Sequence, residues 1–357
     1  MEITKQHETE VINSAGKKYS YSFEDISYTC GFMYKFLVNP LMKIMPRRIT
    51  PNTISFLSGL CSLTGFLIIL QSYYFNTYRF WWAIPIFILT YVVLDYCDGE
   101  QARKTKMCSP IGEFLDHILD SCLPLYLIGG LMIIYNIDQP FYVGSLLTIA
   151  YLTQNAVFWE RYKNGRMFFT KFSSTESILC LTALITASGA EPVRFFLSTP
   201  VFQPDVKYLT SFAEITPLNI FFFMISICAI VNTIQTLMRT NGASFKYYLN
   251  IALMFLTSIM LCFSNFPLPF KVIIIGLCNI NYNVSLLKAI TLKTKDDWPE
   301  LLMPIFILVG SFWPKYYNEK FIGLFAYICI MIAIHIIDLV FFRLKSWQKA
   351  DERKQKA

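Results

Sequence analysis

Four aspartates on two neighbouring apolar segments are the residues of this chain best suited to chemistry. An ionised carboxylate in an apolar segment costs several kcal/mol unless a partner compensates its charge. Of the residues that share their regular spacing, only Arg103 is basic, so most of the negative charge needs another partner. Divalent cations are the partners that a cluster of hard oxygen ligands favours. The aspartates are Asp95, Asp98, Asp116 and Asp120.

Helical geometry would place the polar residues of the second segment on one face. A helix turns by about 100° per residue. Measured from Gly112, the angles are about 40° for Asp116, about 80° for Asp120, about 100° for Glu113 and about 140° for His117. The spacing therefore predicts one titratable helix face, and a hairpin through residues 104–110 would bring it to Asp95 and Asp98.

Carboxylate ligands favour Mg²⁺ or Mn²⁺, and the lack of a nearby His/Cys pair argues against zinc. Two such ions, held by the four aspartates, would form a phosphoryl-transfer site. Gly99, Ala102 and Gly112 would leave room for a polar ligand, and Arg103 can bind a phosphate through two hydrogen bonds. A single aspartate near a span end is more simply explained by a nearby lysine, but four at this spacing indicate a site.

The elements that must position these residues are membrane helices. Hydrophobic residues make up 55% of the chain and charged residues 15%, where soluble domains have about 25% charged residues. We predict an all-α integral membrane protein with about ten transmembrane helices, since each apolar stretch approaches the roughly 20 residues that span a bilayer. The predicted spans are 53–74, 80–97, 109–135, 141–160, 175–197, 218–238, 247–264, 268–290, 299–314 and 320–343.

The flanking segments complete the predicted architecture. Residues 30–45 read as an N-terminal amphipathic helix in the membrane interface. We predict a polar cytosolic N-terminus (1–27), one membrane domain (28–343) and a basic cytosolic tail (344–357). With the N-terminus in the cytosol, six of the 31 Lys and Arg residues fall outside the cytosolic side. This asymmetry places the acidic site at the cytosolic edge, and the net charge of +7 reflects contact with anionic membrane lipids, not nucleic acid.

The motif Asp95-x2-Asp98-Gly99-x2-Ala102-Arg103-x8-Gly112-x3-Asp116-x3-Asp120 resembles the signature of the CDP-alcohol phosphotransferase family at every defined position. Its context, together with the segments Pro51-Asn52 and Trp159-Glu160-Arg161-Tyr162, is similar to the eukaryotic choline/ethanolamine phosphotransferase branch.

The resemblance implies transfer of phosphoethanolamine or phosphocholine from its CDP ester to diacylglycerol, with release of CMP. It implies two Mg²⁺ or Mn²⁺ ions on the four aspartates, a homodimer, and an endoplasmic reticulum or Golgi membrane. The residues expected to contact the CDP-alcohol are Asn52, Gly99, Ala102, Arg103, Gly112 and Glu113.

Two residues are candidates for the general base that activates the lipid hydroxyl. Asp120 lies on the correct helix face, but a carboxylate that binds metal is a weak base. An imidazole is effective near neutral pH. We therefore favour His117 and keep Asp120 as the alternative.

Two residues depart from the family pattern, and other functions remain open. Relatives usually carry Lys at the position of Glu100 and Gly at that of Ile118, so nucleotide affinity and helix packing are expected to differ. The same chemistry on ceramide or an ether-linked glyceride is an alternative. A membrane transporter or cation-binding protein is an alternative of another class, although it would place its acids nearer the bilayer centre.

Overall fold

The computed structural model describes residues 5–12, 18–25, 27–169, 174–201, 215–262, 264, 266–299, 301–311 and 317–343. The described chain is predominantly helical. Its long helices are α3 (Pro51–Phe75), α4 (Ala83–Thr105), α7 (Pro140–Asn164), α10 (Pro217–Arg239), α11 (Phe245–Cys262), α12 (Leu268–Leu292) and α14 (Tyr317–Ile337). The shorter helices are α1 (Tyr28–Met33), α2 (Asn39–Ile44), α5 (Pro110–Asp120), α6 (Gly130–Ile134), α8 (Ser174–Ala187), α9 (Glu191–Ser198) and α13 (Leu302–Ser311). Turns of π-helix cover Tyr34–Val38, Leu125–Gly129 and Asp338–Arg343.

A small sheet accompanies the predominantly helical fold. Strand β1 (Lys5–Ile12) pairs antiparallel with β2 (Lys18–Asp25), and β2 pairs parallel with β3 (Arg166–Phe169). The polar N-terminus therefore contributes two strands to the fold. The pairing of β1 with β2 is local, but β2 and β3 lie far apart in the chain, so no local period predicts their pairing. The basic tail 344–357 lies outside the described residues.

Among the described residues, five helical segments are long and apolar enough to cross a membrane. They identify an integral membrane protein. A sixth would be the pair α8 and α9 if it forms one span bent by 110°. Each of the ten predicted stretches overlaps a helix, but length and composition do not confirm ten spans. The five segments are Pro51–Phe75, Pro110–Ile134, Pro217–Arg239, Leu268–Leu292 and Lys320–Phe341.

The helix hairpin that carries the acidic motif has clear local signals. Lys106, with a left-handed φ of 58°, ends α4. Ser109 then caps α5, because its Oγ accepts a hydrogen bond from the Gly112 backbone N–H at 3.1 Å. Pro110 follows the cap at the first helical position, where its fixed φ suits a helix start. These local signals therefore determine where α5, the helix that carries Asp116 and Asp120, begins.

Helix α3 packs against both α4 and α5. At Gly59, an added Cβ would lie 2.7 Å from Leu119 Cδ2, so glycine lets α3 approach α5 without displacing the Leu119 side chain. Thr50 caps α3 by accepting a hydrogen bond from the Thr53 backbone N–H. These contacts make α3 the support on which the hairpin of α4 and α5 rests.

The N-terminal helical segment 28–44 forms hydrogen bonds with the rest of the bundle at both ends. At its start, the buried Glu176 carboxylate of α8 accepts hydrogen bonds from the Thr29 backbone N–H at 2.9 Å and from Thr29 Oγ1 at 2.8 Å. At its end, Lys104 Nζ donates to the Met42 carbonyl at 2.6 Å. Gln101 Nε2 donates to the carbonyls of Pro46 and Ile49. The position of this segment in the membrane interface stays a prediction.

Candidate active site

The four aspartates meet where α4 and α5 face each other. Asp95 lies close enough to Asp98, Asp116 and Asp120 to interact electrostatically with them. Asp98 is likewise close to Asp116. The side chain of Asp98 is buried, and the others are partly buried. Ionised carboxylates this close repel one another, so the cluster is suited to a compensating cation.

Two hydroxyl groups that the sequence did not reveal hold this cluster. Ser55 Oγ, on α3, donates a hydrogen bond to Asp98 Oδ2. The buried Tyr91, one turn before Asp95 on α4, donates its O–H to Asp120 Oδ1 at 2.7 Å. The i,i+4 spacing of Tyr91 and Asp95 was a visible signal, but the contact to Asp120 depends on how the two helices pack.

His117 lies beside the carboxylates. Its Nδ1 is 3.6 Å from Asp116 Oδ2 and 3.6 Å from Asp120 Oδ2. The ring is buried, its centroid lies 5.7 Å from that of Phe158, and neither ring nitrogen has a hydrogen-bond partner among the described residues. An imidazole held in this way can present Nδ1 to the carboxylates and leave Nε2 for a reacting group.

These residues fit a divalent cation. Ligand atoms of Asp116, His117 and Asp120 all lie within 4.8 Å of one another. The carboxylates of Asp95 and Asp98 face the same place from α4. The donor set is mostly hard oxygen, which suits Mg²⁺ or Mn²⁺. The grouping adds His117 to the residues that could bind metal, a role that the sequence analysis had not given it.

The arginine predicted to bind phosphate has a partner within the chain. Arg103 Nη2 lies 2.9 Å from Glu100 Oε1, one turn back on α4. The guanidinium lies over Gly99, where an added Cβ would be 3.6 Å from its nitrogens. The departure at Glu100 therefore acts directly on Arg103.

Glu113, predicted as a ligand of the CDP-alcohol, forms an ion pair. Its Oε1 accepts a hydrogen bond from Arg161 Nε at 3.0 Å and lies 2.9 Å from Arg161 Nη2. Arg161 also donates through Nη1 to the Gly165 carbonyl. Arg161 thus places a positive charge beside Glu113, from the Trp159–Tyr162 segment. Its role was not evident from the sequence because the ion pair joins α5 to the end of α7.

One cavity of about 650 Å³ collects the predicted site residues. At Gly112, an added Cβ would lie 3.1 Å from Asn52 Oδ1, so glycine keeps this wall open. Away from the acids the lining becomes apolar, with Leu123, Leu127 and Ile128. All eleven predicted residues line the cavity: Asn52, Asp95, Asp98, Gly99, Ala102, Arg103, Gly112, Glu113, Asp116, His117 and Asp120. Their roles stay predictions.

Two further groups line the cavity outside the apolar spans. Burial raises the pKa of the Tyr34 phenol. Burial also raises the pKa of the Cys108 thiol, in the loop between α4 and α5. Both side chains are therefore neutral near pH 7 and do not cancel the positive charge of Arg103.

The acidic hairpin and its cavity belong to a known class of membrane enzyme. The family model for CDP-alcohol phosphatidyltransferases matches residues 48–234, more than half of the chain. The chain is therefore a member of the CDP-alcohol phosphatidyltransferase family.

Named relatives refine this assignment. The chain is 24% identical over 317 residues to an uncharacterised class-I member of the family from Schizosaccharomyces pombe, covering 81% of each chain. It is 29% identical over 170 residues to Ethanolaminephosphotransferase 1 of Homo sapiens, covering 42% of each. It is 26% identical over 251 residues to Choline/ethanolaminephosphotransferase 1 of Saccharomyces cerevisiae, covering 66% of this chain and 60% of the relative. The matches to the two named enzymes thus span less than two thirds of their lengths.

Proposed function

We propose that the chain transfers phosphoethanolamine or phosphocholine from its CDP ester to diacylglycerol, releasing CMP and forming phosphatidylethanolamine or phosphatidylcholine. The observation that carries this proposal is the meeting of four aspartates from α4 and α5 in a cavity that turns apolar at one end. A charged nucleotide suits the acidic and basic end, and a lipid suits the apolar end. The names of the human and yeast relatives support the same choice of head group.

Asp95, Asp98, Asp116 and Asp120 would hold two Mg²⁺ or Mn²⁺ ions. Such ions, when bound, neutralise the pyrophosphate and stabilise charge on the leaving CMP. Asn52, Gly99, Ala102, Arg103, Gly112 and Glu113 would contact the CDP-alcohol. The Glu113–Arg161 pair would fix one wall of this nucleotide site, since its hydrogen bond and ion pair hold the carboxylate in place.

His117 would act as the general base, with Asp120 as the alternative. The lipid hydroxyl oxygen attacks the phosphorus of the phospho-alcohol, and the bond from that phosphorus to the CMP oxygen breaks. The hydroxyl proton passes to His117 Nε2, while Nδ1 faces Asp116 and Asp120. Because Tyr91 and His117 both lie against Asp120, this carboxylate is better placed to orient the imidazole than to take the proton.

The expected setting is a ten-span protein of the endoplasmic reticulum or Golgi membrane, forming a homodimer with its site open to the cytosol. The distribution of Lys and Arg supports this orientation. Helices α4 and α7 would cross the membrane although acidic and basic residues occupy their C-terminal ends. Residues in the loops at either end of α4 could be labelled from one side of sealed vesicles to test the orientation.

Transfer of radiolabel tests the reaction. Membranes containing the chain would receive labelled CDP-choline or CDP-ethanolamine, with diacylglycerol, an ether-linked glyceride or ceramide, and Mg²⁺ or Mn²⁺. We expect label in the glycerophospholipid, and none with Asp116→Asn. The matched control is Asp138→Asn, at the exposed end of an ion pair with Lys271. Label in ceramide products alone would show that ceramide is the acceptor. Label in no lipid would refute the proposed transferase activity.

The base has its own test. His117→Ala should leave binding of the CDP-alcohol near normal and lower turnover by about 100-fold or more, as loss of a general base does. His335→Ala is the control, since His335 contacts Lys288 and does not line the cavity. Wild-type turnover in His117→Ala would contradict the assignment.

A further inference from the structure

Gln154, on α7, is a cavity residue that the proposed mechanism does not use. It lies one helical turn before Phe158, the ring that packs against His117. Its Oε1 accepts a hydrogen bond from Asn283 Nδ2 of α12 at 3.1 Å. No described residue accepts a hydrogen bond from its Nε2. The side-chain amide therefore keeps two N–H donors for the cavity.

The orientation of this amide is fixed by its neighbours. Ser121 Oγ donates its single proton to the His117 carbonyl at 2.8 Å, so it can only accept from Asn283. Asn283 Nδ2 lies 3.4 Å from Ser121 Oγ as well as 3.1 Å from Gln154 Oε1. Asn283 is fully buried, and its NH₂ group contacts both partners. Gln154 must then present its oxygen to Asn283 and its NH₂ to the cavity.

Gln154 stands where the cavity changes from polar to apolar. Asn283 forms hydrogen bonds with both Gln154 and Ser121, and Ser121 follows the last residue of α5. At a rise of 1.5 Å per residue, Ser121 lies about 14 Å along the helix from Gly112, where the nucleotide is expected. Beyond Ser121 the cavity wall continues with Leu123 and Leu127. A donor at this level is far from the nucleotide and close to the position of a lipid whose hydroxyl reaches His117.

We propose that Gln154 donates a hydrogen bond to an ester carbonyl of the acceptor glyceride, and so selects acyl-linked over alkyl-linked acceptors. This inference rests on the proposed function, because it concerns the second substrate of the same reaction. A glyceride carries its first ester carbonyl a few bonds from the free hydroxyl, at the boundary between its polar and apolar parts. Asn283 is a positioning residue, since it orients the Gln154 amide without touching the lipid.

Kinetics with two acceptors test the proposal. The full chain in mixed micelles would be assayed with dioleoylglycerol and with dioleylglycerol ether, which lacks both carbonyls. The wild type should show a KM for the diacyl acceptor about five- to tenfold lower, the range of one neutral hydrogen bond. Gln154→Met has a similar volume and no donor, so it should raise the diacyl KM to that of the ether. Its KM for the CDP-alcohol should not change.

Further variants separate this role from a structural one. Gln154→Glu keeps the shape of the side chain, removes both donors and should abolish the same preference. Asn283→Leu should raise the KM for the diacyl acceptor and leave that for the CDP-alcohol unchanged. Asn279→Leu is the matched control, because buried Asn279 lies one turn away on α12 and, within the described part of the chain, donates only to the Ile275 carbonyl. An active wild type whose acceptor preference survives in Gln154→Met and Gln154→Glu would overturn this inference alone. A wild type that transfers to neither acceptor would overturn the proposed function as well.

Discussion

At the scale of single residues, the two departures from the family pattern have different consequences. Ile118 does not line the cavity and packs against the hydrophobic core, as expected from its angle on the helix. Glu100 is paired with Arg103. One departure therefore concerns packing, and the other concerns the charge that a nucleotide would meet.

Replacing Glu100 should strengthen binding of the nucleotide. Any phosphate that uses Arg103 must compete with the Glu100 carboxylate at 2.9 Å. The pair is partly exposed, and such pairs contribute about 1 kcal/mol or less. We expect Glu100→Gln and Glu100→Lys to lower the KM for the CDP-alcohol about two- to fivefold, measured by initial rates at saturating acceptor. Glu191→Gln, in the first turn of α9, is the control. A KM that stays the same or rises would show that Glu100 assists Arg103.

At the scale of elements, α5 carries the largest share of the site. It supplies Asp116, His117 and Asp120, and its start is set by Ser109 and Pro110. Tilting this helix would move all three side chains relative to α4. The cap is therefore linked to the geometry of the candidate metal site.

Removal of the cap should affect both stability and metal use. Ser109→Ala loses the hydrogen bond to Gly112 N–H and should lower the free energy of unfolding by about 1 kcal/mol. It should also raise the Mg²⁺ concentration for half-maximal activity, by about threefold. Thr216→Ala is the matched control, because Thr216 caps α10 in the same way through the Asn219 N–H. Thermal unfolding and metal titrations measure the two effects, and an equal shift in metal requirement in both variants would contradict the link.

At the scale of the whole molecule, local patterns predicted more than long-range contacts. The ten apolar stretches coincide with helices, and the i,i+4 spacing of Asp116 and Asp120 correctly predicted a shared face, because these signals reside in neighbouring residues. The sheet of β2 with β3, the Glu113–Arg161 pair and the hydroxyl of Ser55 on Asp98 were missed. Each joins residues distant in sequence, so it depends on how complete helices and strands pack.

A charged cluster outside the cavity joins α12 to the last helical segment, which carries His335 and Asp338. The side chain of Lys288 is 8% exposed, and its Nζ lies 3.0 Å from Asp297 Oδ2, 3.1 Å from His335 Nδ1 and 3.6 Å from Asp338 Oδ2. In the apolar 18-residue stretch of Lys320–Phe341, only 11% of the residues are buried within the described protein. With so little packing, α14 should depend on this polar contact for its attachment.

Lys288→Met should therefore destabilise the protein without altering its chemistry. Loss of the ammonium removes a close cation from two carboxylates, one of them about half exposed. We expect a loss of about 1–3 kcal/mol, below the 3–5 kcal/mol typical of fully buried pairs. Adding Asp297→Asn and Asp338→Asn should restore part of the loss, since the remaining groups are then neutral. Thermal unfolding in detergent measures the effect, and activity per folded molecule should match the wild type because Lys288 does not line the cavity. An unchanged melting temperature would show that apolar contacts alone hold α14 in place.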